Sequence, residues 1–131
     1  MNNGRVLLIH RHAGTRASLK KGLEQNGYMV IMAFSGSSAV NILKLEHIQA
    51  AFVDLRSAEC ASLDLVHRLQ HVRPDLPLFA LADTPSKFEI DACRQAGIEG
   101  YFTAPFNITA LVNAIASIEM PASEVEDREA I

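Results

Sequence analysis

No stretch of this sequence stays apolar for the ~18 residues that a membrane-spanning helix needs, and the apolar part of MNNGRVLLIH is too short for a signal peptide. A cytoplasmic location is the expectation. A basic excess is missing too: 12 Lys and Arg stand against 15 Asp and Glu, a formal net charge of −3. A surface that binds phosphate backbones concentrates cations, so direct contact with nucleic acid is not expected. The only cysteines, Cys60 and Cys93, are far apart, which signals neither a disulfide framework nor a zinc motif. They read as buried or half-buried thiols. There is no internal repeat and no low-complexity tract. No Gly-rich phosphate loop follows the first apolar run, where His12-Ala13-Gly14-Thr15 holds one glycine. Ser57 and Cys60 are only loop candidates for a nucleophile, and no Ser-His-Asp or Cys-His set forms around them, so no catalytic residue and no enzyme are expected.

What is present is enough for one domain: 131 residues, 49% hydrophobic and 21% charged. Short apolar runs alternate with segments of helical period, as a parallel sheet covered on both faces requires. Val6-Leu7-Leu8-Ile9 reads as the first strand, apolar at every position. Leu19 and Leu23 mark a first helix that stops near Asn26-Gly27. Tyr28 to Phe34 is a second strand, Ser35 to Lys44 a second helix, and Ala50 to Val53 a third strand. Leu65, Val66, Leu69 and Val72 carry a third helix up to Pro74. Leu78 to Leu81 is the fourth strand and Ser86 to Ala96 the fourth helix, ended by Gly97. Tyr101-Phe102 is a short fifth strand, and Ile108, Leu111, Val112, Ile115 and Ile118 mark the fifth helix. Residues 1–120 are taken as the domain; 121–131, acidic and without apolar period, as a tail or the start of a linker.

Ligands of an open parallel sheet sit beyond the carboxyl ends of the strands, where the strand order reverses. In the order 2-1-3-4-5, strands one and three flank that reversal. His10, Arg11 and His12 then face Asp54 across the crevice, with Ala82 and Ala104 on its rim.

Phe52-Val53-Asp54-Leu55 ends the third strand with an aspartate, Gly97 follows the fourth helix, the aromatic Tyr101 lies on the fifth strand, and Thr103-Ala104-Pro105-Phe106 follows it. With these features the chain resembles, over residues 5 to 118, a response-regulator receiver domain, and its Thr103-Ala104-Pro105-Phe106 is similar to the family's Thr-Lys-Pro-Phe. The resemblance implies an α/β, flavodoxin-like (βα)5 three-layer sandwich, with Asp54 as the phosphoacceptor equivalent and Tyr101 as the switch aromatic. The departures matter as much. His10 and Arg11 stand where the family's acidic pair holds Mg²⁺, a cation that needs oxygen ligands, so Mg²⁺ is expected to bind weakly or not at all. Ala82 and Ala104 replace the hydroxyl residue and the lysine that contact the phosphoryl group, and neither has a side-chain donor. The loop Arg56-Ser57-Ala58-Glu59-Cys60-Ala61-Ser62 also departs from the family's Pro-Gly-x-Asp-Gly-like turn.

Asp54 is either an inherited remnant or the partner of Arg11 or His10, and the ion pair is the expectation carried forward. A transition-metal site of His10, His12 and Asp54, or of His67 and His71 four apart on helix three, is the alternative. His47, His67 and His71 otherwise read as solvated residues. The reading adopted is an atypical receiver working as a phosphorylation-independent signalling and interaction module. Its expected partner is a protein or a second copy, docked on helix four, strand five and helix five near Tyr101, Phe102 and Phe106. The alternative is a receiver that takes phosphate at Asp54 from a histidine kinase.

Overall fold

A computed structural model of the chain describes residues 4–55, 62–82 and 87–119. Five strands, β1 (Gly4–Ile9), β2 (Tyr28–Ala33), β3 (Ala50–Asp54), β4 (Leu78–Ala82) and β5 (Gly100–Thr103), alternate with five helices, α1 (Ala13–Gln25), α2 (Gly36–Leu45), α3 (Ser62–Val72), α4 (Lys87–Gln95) and α5 (Ile108–Glu119). All four strand pairings are parallel, and the sheet order is β2-β1-β3-β4-β5. This is the expected α/β topology. No helix of the described residues is long and apolar enough to cross a membrane.

The unbroken apolar strands follow from burial on both faces. Successive side chains point to opposite sides of a sheet. Val6 and Leu8 accordingly join Ala50, Phe52, Phe79 and Leu81 under α1 and α5, where Leu19, Leu23, Leu111 and Ile115 complete one core layer. Leu7 and Ile9 join Ala51 and Val53 on the opposite face, under Ala39 and Leu43 of α2 and Leu65, Val66 and Leu69 of α3. The Phe52 ring is fully buried and stacks on Phe79 with centroids 5.2 Å apart.

Turn chemistry sets the element ends. Ser35 Oγ accepts the Ser38 amide at 3.0 Å, so the backbone breaks out of β2 at Ala33 and α2 begins at Gly36. After α4 the Gly97 amide donates to the Arg94 carbonyl and the Ile98 amide to the Cys93 carbonyl. That pairing needs a left-handed residue between them, and Gly97 supplies it with φ +83°. Ser86, expected to open the fourth helix, lies outside the described residues, as do Cys60, the loop 56–61 and the acidic segment 121–131.

Candidate functional site

Strand register builds the crevice. Leu8 lies opposite Phe52 and Ile9 opposite Val53, so the next step brings His10 level with Asp54. Both share the strand parity of Leu8 and Phe52 and point toward the α1 and α5 layer. Both are buried, each 4% exposed. A polar side chain that leaves water needs partners, and here the backbone of the β1–α1 turn supplies one. The Arg11 amide donates to Asp54 Oδ2 at 3.2 Å.

The expected side-chain contacts take a different form. Arg11 Nε stands 3.8 Å from Asp54 Oδ2 and His10 Nδ1 stands 3.9 Å from it, within the range of charge attraction but beyond that of a hydrogen bond. The reason is competition for the same groups. Arg11 Nε donates to His12 Nε2 at 3.1 Å, and His10 Nδ1 accepts the His12 amide at 3.1 Å. An Nδ1 that accepts this bond carries no proton, which puts the His10 proton on Nε2 and makes its approach to Asp54 one of two acceptors. The cation facing Asp54 is thus Arg11, whose side chain is 30% exposed.

Two residues that the sequence reading passed over complete the arrangement. Arg16 Nη1 donates to the His10 carbonyl at 2.8 Å, and its guanidinium carbon lies 4.8 Å from the centre of the exposed Phe34 ring. The signal for Arg16 was helical period: one turn past the His12 N-cap, a side chain returns over the strand end. Phe106, named for the strand-five motif and the docking face but not for the crevice, packs edge-on against His10 with centroids 6.1 Å apart.

The remaining candidates sit apart from this cluster. Ala82 is buried against Leu55, Ala80 and Cys93 on the α4 side of the sheet. Ala104 is exposed beside a cavity of about 330 Å³ that Thr15, Ser18, Pro105 and Phe106 also line. Tyr101 is 41% exposed on β5, while its neighbour Phe102 turns inward onto Phe52 and Phe79. His67 and His71 are exposed on α3, and among the described residues no three His, Cys, Asp or Glu side chains gather to hold a metal ion.

The chemistry of this donor set runs against a hard dication. At the two positions after β1 the crevice offers an imidazole and a guanidinium, and one oxygen of Asp54 already accepts the Arg11 amide. Mg²⁺ takes carboxylate and other oxygen ligands and would meet a fixed positive charge here. The described residues do not fit it.

A family profile described as the response regulator receiver domain matches residues 6–116. Among curated proteins, the chain is 30% identical over 129 residues to the transcriptional regulatory protein GlrR of Escherichia coli (strain K12), covering 96% of this chain and 29% of that protein. It is 25% identical over 127 residues to the response regulator MprA of Mycobacterium avium (strain 104), covering 97% and 56%. The chain therefore spans less than two thirds of the length of these relatives. Among solved structures, a response regulator protein from Burkholderia pseudomallei, described with a phosphorylated aspartic acid, calcium ion and citrate, superposes with a TM-score of 0.79 at 26% identity and covers 98% of this chain and 74% of its own. A two-component response regulator from Clostridium difficile reaches 0.82 at 17% identity over 88% of this chain and 95% of its own, which speaks for the fold alone.

Proposed function

The chain belongs to the response regulator receiver domain family of two-component systems, and we propose that it acts there without phosphorylation, as a regulatory module on which a partner protein docks. One observation carries the reading: the place of the acidic pair is taken by His10 and Arg11, and Arg11 serves Asp54 with both its amide and its charge. Phosphoryl transfer depends on positioning and on stabilising developing charge. A crevice with a guanidinium in place of metal ligands, and with no side-chain donor supplied from Ala82 or Ala104 at the neighbouring strand ends, offers little of either. No other residue set among the described residues supports catalysis, and the domain is read as a non-enzyme. The likeness to GlrR favours the regulatory domain of a bacterial transcription regulator, working in the cytoplasm.

The docking face proposed is α4, β5 and α5. Phe88 on α4 is 80% exposed and Tyr101 on β5 is 41% exposed. Aromatic side chains at a wet boundary supply contact area at small entropic cost. In this reading the occupant is a partner protein or a second copy. Light scattering on the double variant Phe88→Ala/Tyr101→Ala, compared with the parent, tests the homodimer directly.

A second reading keeps phosphorylation. Asp54 holds the strand-end position, and the Burkholderia pseudomallei neighbour is described with a phosphorylated aspartic acid. Incubation with Mg²⁺ and a small phosphodonor, followed by intact-mass measurement, separates the two. The expected result is an unchanged mass. A gain of one phosphoryl group that disappears in Asp54→Ala would establish Asp54 as a phosphoacceptor and with it the second reading, in which a histidine kinase is the donor to be sought.

A further inference from the structure

Where α2 packs on α3, Val40, Lys44, His67, Arg68, His71 and Val72 line a groove of about 420 Å³. Helical spacing sets its pattern: Lys44 lies one turn beyond Val40, His71 one turn beyond His67, and Val72 one turn beyond Arg68. Val40 and Val72 are half-buried and packed against the core layer beneath the two helices, which makes the floor apolar and fixed. Lys44, His67, Arg68 and His71 are exposed. Among the described residues no Asp or Glu lines the groove. The carboxylates nearest in sequence lie elsewhere: Glu46 pairs with Arg5 at 3.0 Å, Asp75 faces Arg73, and Asp64 is exposed outside the lining.

Two features decide what such a groove takes. The first is its sign of charge. Arg68 has a partner within the chain, so a ligand meets the Lys44 ammonium and the N–H donors of His67 and His71. The His67 and His71 pair alone would suit a transition metal, being one helical turn apart. Lys44 on the facing helix opposes a cation and favours an anion. The second feature is the floor. A nucleic-acid backbone would satisfy the basic groups but leave Val40 and Val72 uncovered, and the net charge of −3 repels it at range. A helix with an aliphatic stripe flanked by carboxylates satisfies both, because its own side chains repeat at the one-turn spacing of the groove.

We infer that this groove is a second docking surface and that its occupant is an acidic amphipathic helix of a partner protein. The aliphatic stripe of that helix covers Val40 and Val72, while its flanking carboxylates meet Lys44, His67 and His71. None of these residues lies on α4, β5 or α5, so the surface is separate from the docking face proposed above and is tested independently of it. A domain with both surfaces occupied joins two proteins.

The test titrates a synthetic helix of about sixteen residues, built on the repeat Glu-Leu-Ala-Glu, into the ¹⁵N-labelled full chain and follows its amide signals. Saturable shifts should centre on Lys44, His67, His71 and Val72, while Lys20 and Glu24 on α1 stay in place. Lys44→Glu should weaken the affinity about tenfold, whereas the charge-matched Lys21→Glu, exposed on α1, should change it by less than about twofold. His67→Ala/His71→Ala, whose fold the spectrum itself reports, should weaken it about fivefold. A probe with Gln in place of Leu should bind about tenfold more weakly, since the floor then stays uncovered. Shifts that are absent, centred on another face, equally reduced by Lys21→Glu, or undiminished with the Gln probe overturn the inference. So does a single-stranded oligonucleotide that binds the groove as tightly, which would make the occupant a nucleic acid. Groove shifts that grow with protein concentration alone overturn it too, since the occupant would then be a second copy.

Discussion

Replacing Asp54 with asparagine should destabilise this domain, and the geometry sets the size of the effect. Arg11 Nε lies 3.8 Å from Oδ2; at an effective dielectric near 20 two unit charges at that distance attract by about 4 kcal/mol. Much of this is offset, because the carboxylate is only 4% exposed and has lost its hydration, and because Arg11 remains partly in water, where screening weakens the pair. Asparagine still offers an oxygen to the Arg11 amide, so the bond survives without its charge assistance. The expected net loss for Asp54→Asn is about 1–2 kcal/mol, and Asp54→Ala, which leaves that amide without this acceptor, should lose about 2–4 kcal/mol. Urea unfolding followed by far-ultraviolet circular dichroism reads both, with an unchanged denaturant slope as the sign that only stability moved. A double-mutant cycle with Arg11→Gln should return a coupling of about 1 kcal/mol. The opposite sign would refute the reasoning: if Asp54→Asn raises the urea midpoint, the carboxylate is electrostatically strained, as in a site waiting for a metal, and Arg11 does not compensate it.

Three further outcomes are expected. Millimolar Mg²⁺ should leave the thermal midpoint of the parent unchanged, while His10→Asp/Arg11→Asp should gain a Mg²⁺-dependent rise, since a ligand that binds only the folded state stabilises it. Gly22→Ala should lower the midpoint even though alanine favours helices by about 1 kcal/mol: its Cβ would sit 2.5 Å from Ile108 Cγ1, where α1 meets α5, and overpacking costs about 1–3 kcal/mol. Ile108→Val should restore part of the loss. Burial, with a smaller contribution from Glu89, pushes the Cys93 thiol above its ordinary value, so the folded protein holds that proton more tightly than the unfolded chain. Its stabilising contribution is complete below the unfolded thiol's pKa and is lost as pH rises through the folded one. Peptide-level alkylation at pH 8 should accordingly find Cys93 slow in the native protein and fast in urea.

The sequence by itself determined the element order, the parallel sheet and the location of the crevice. Each of these follows from local regularities: strands apolar at every position must be buried on both faces, and residues just past such strands must surface at the carboxyl edge. Asp54, His10 and Arg11 were legible for that reason, and the substitution of basic residues for an acidic pair needed no coordinates to be seen. What the sequence could not decide was which atoms meet. Arg11 reaches Asp54 by its amide because its Nε is drawn to His12, and His10 turns its lone pair to the same turn; both outcomes depend on the path of three backbone residues, which periodicity does not encode. Ala82 and Ala104 also lay on one rim in the one-dimensional reading, yet strand parity sends Ala82 under α4, while Ala104 borders the cavity beside α1. Arg16 and Phe34 are separated by eighteen positions and a strand, so their contact exists only once β2 pairs with β1. The charge of residues 120–131 was plain from the start, whereas the basic groove of Lys44, His67, Arg68 and His71 is assembled from α2 and α3 and came into being only with their packing.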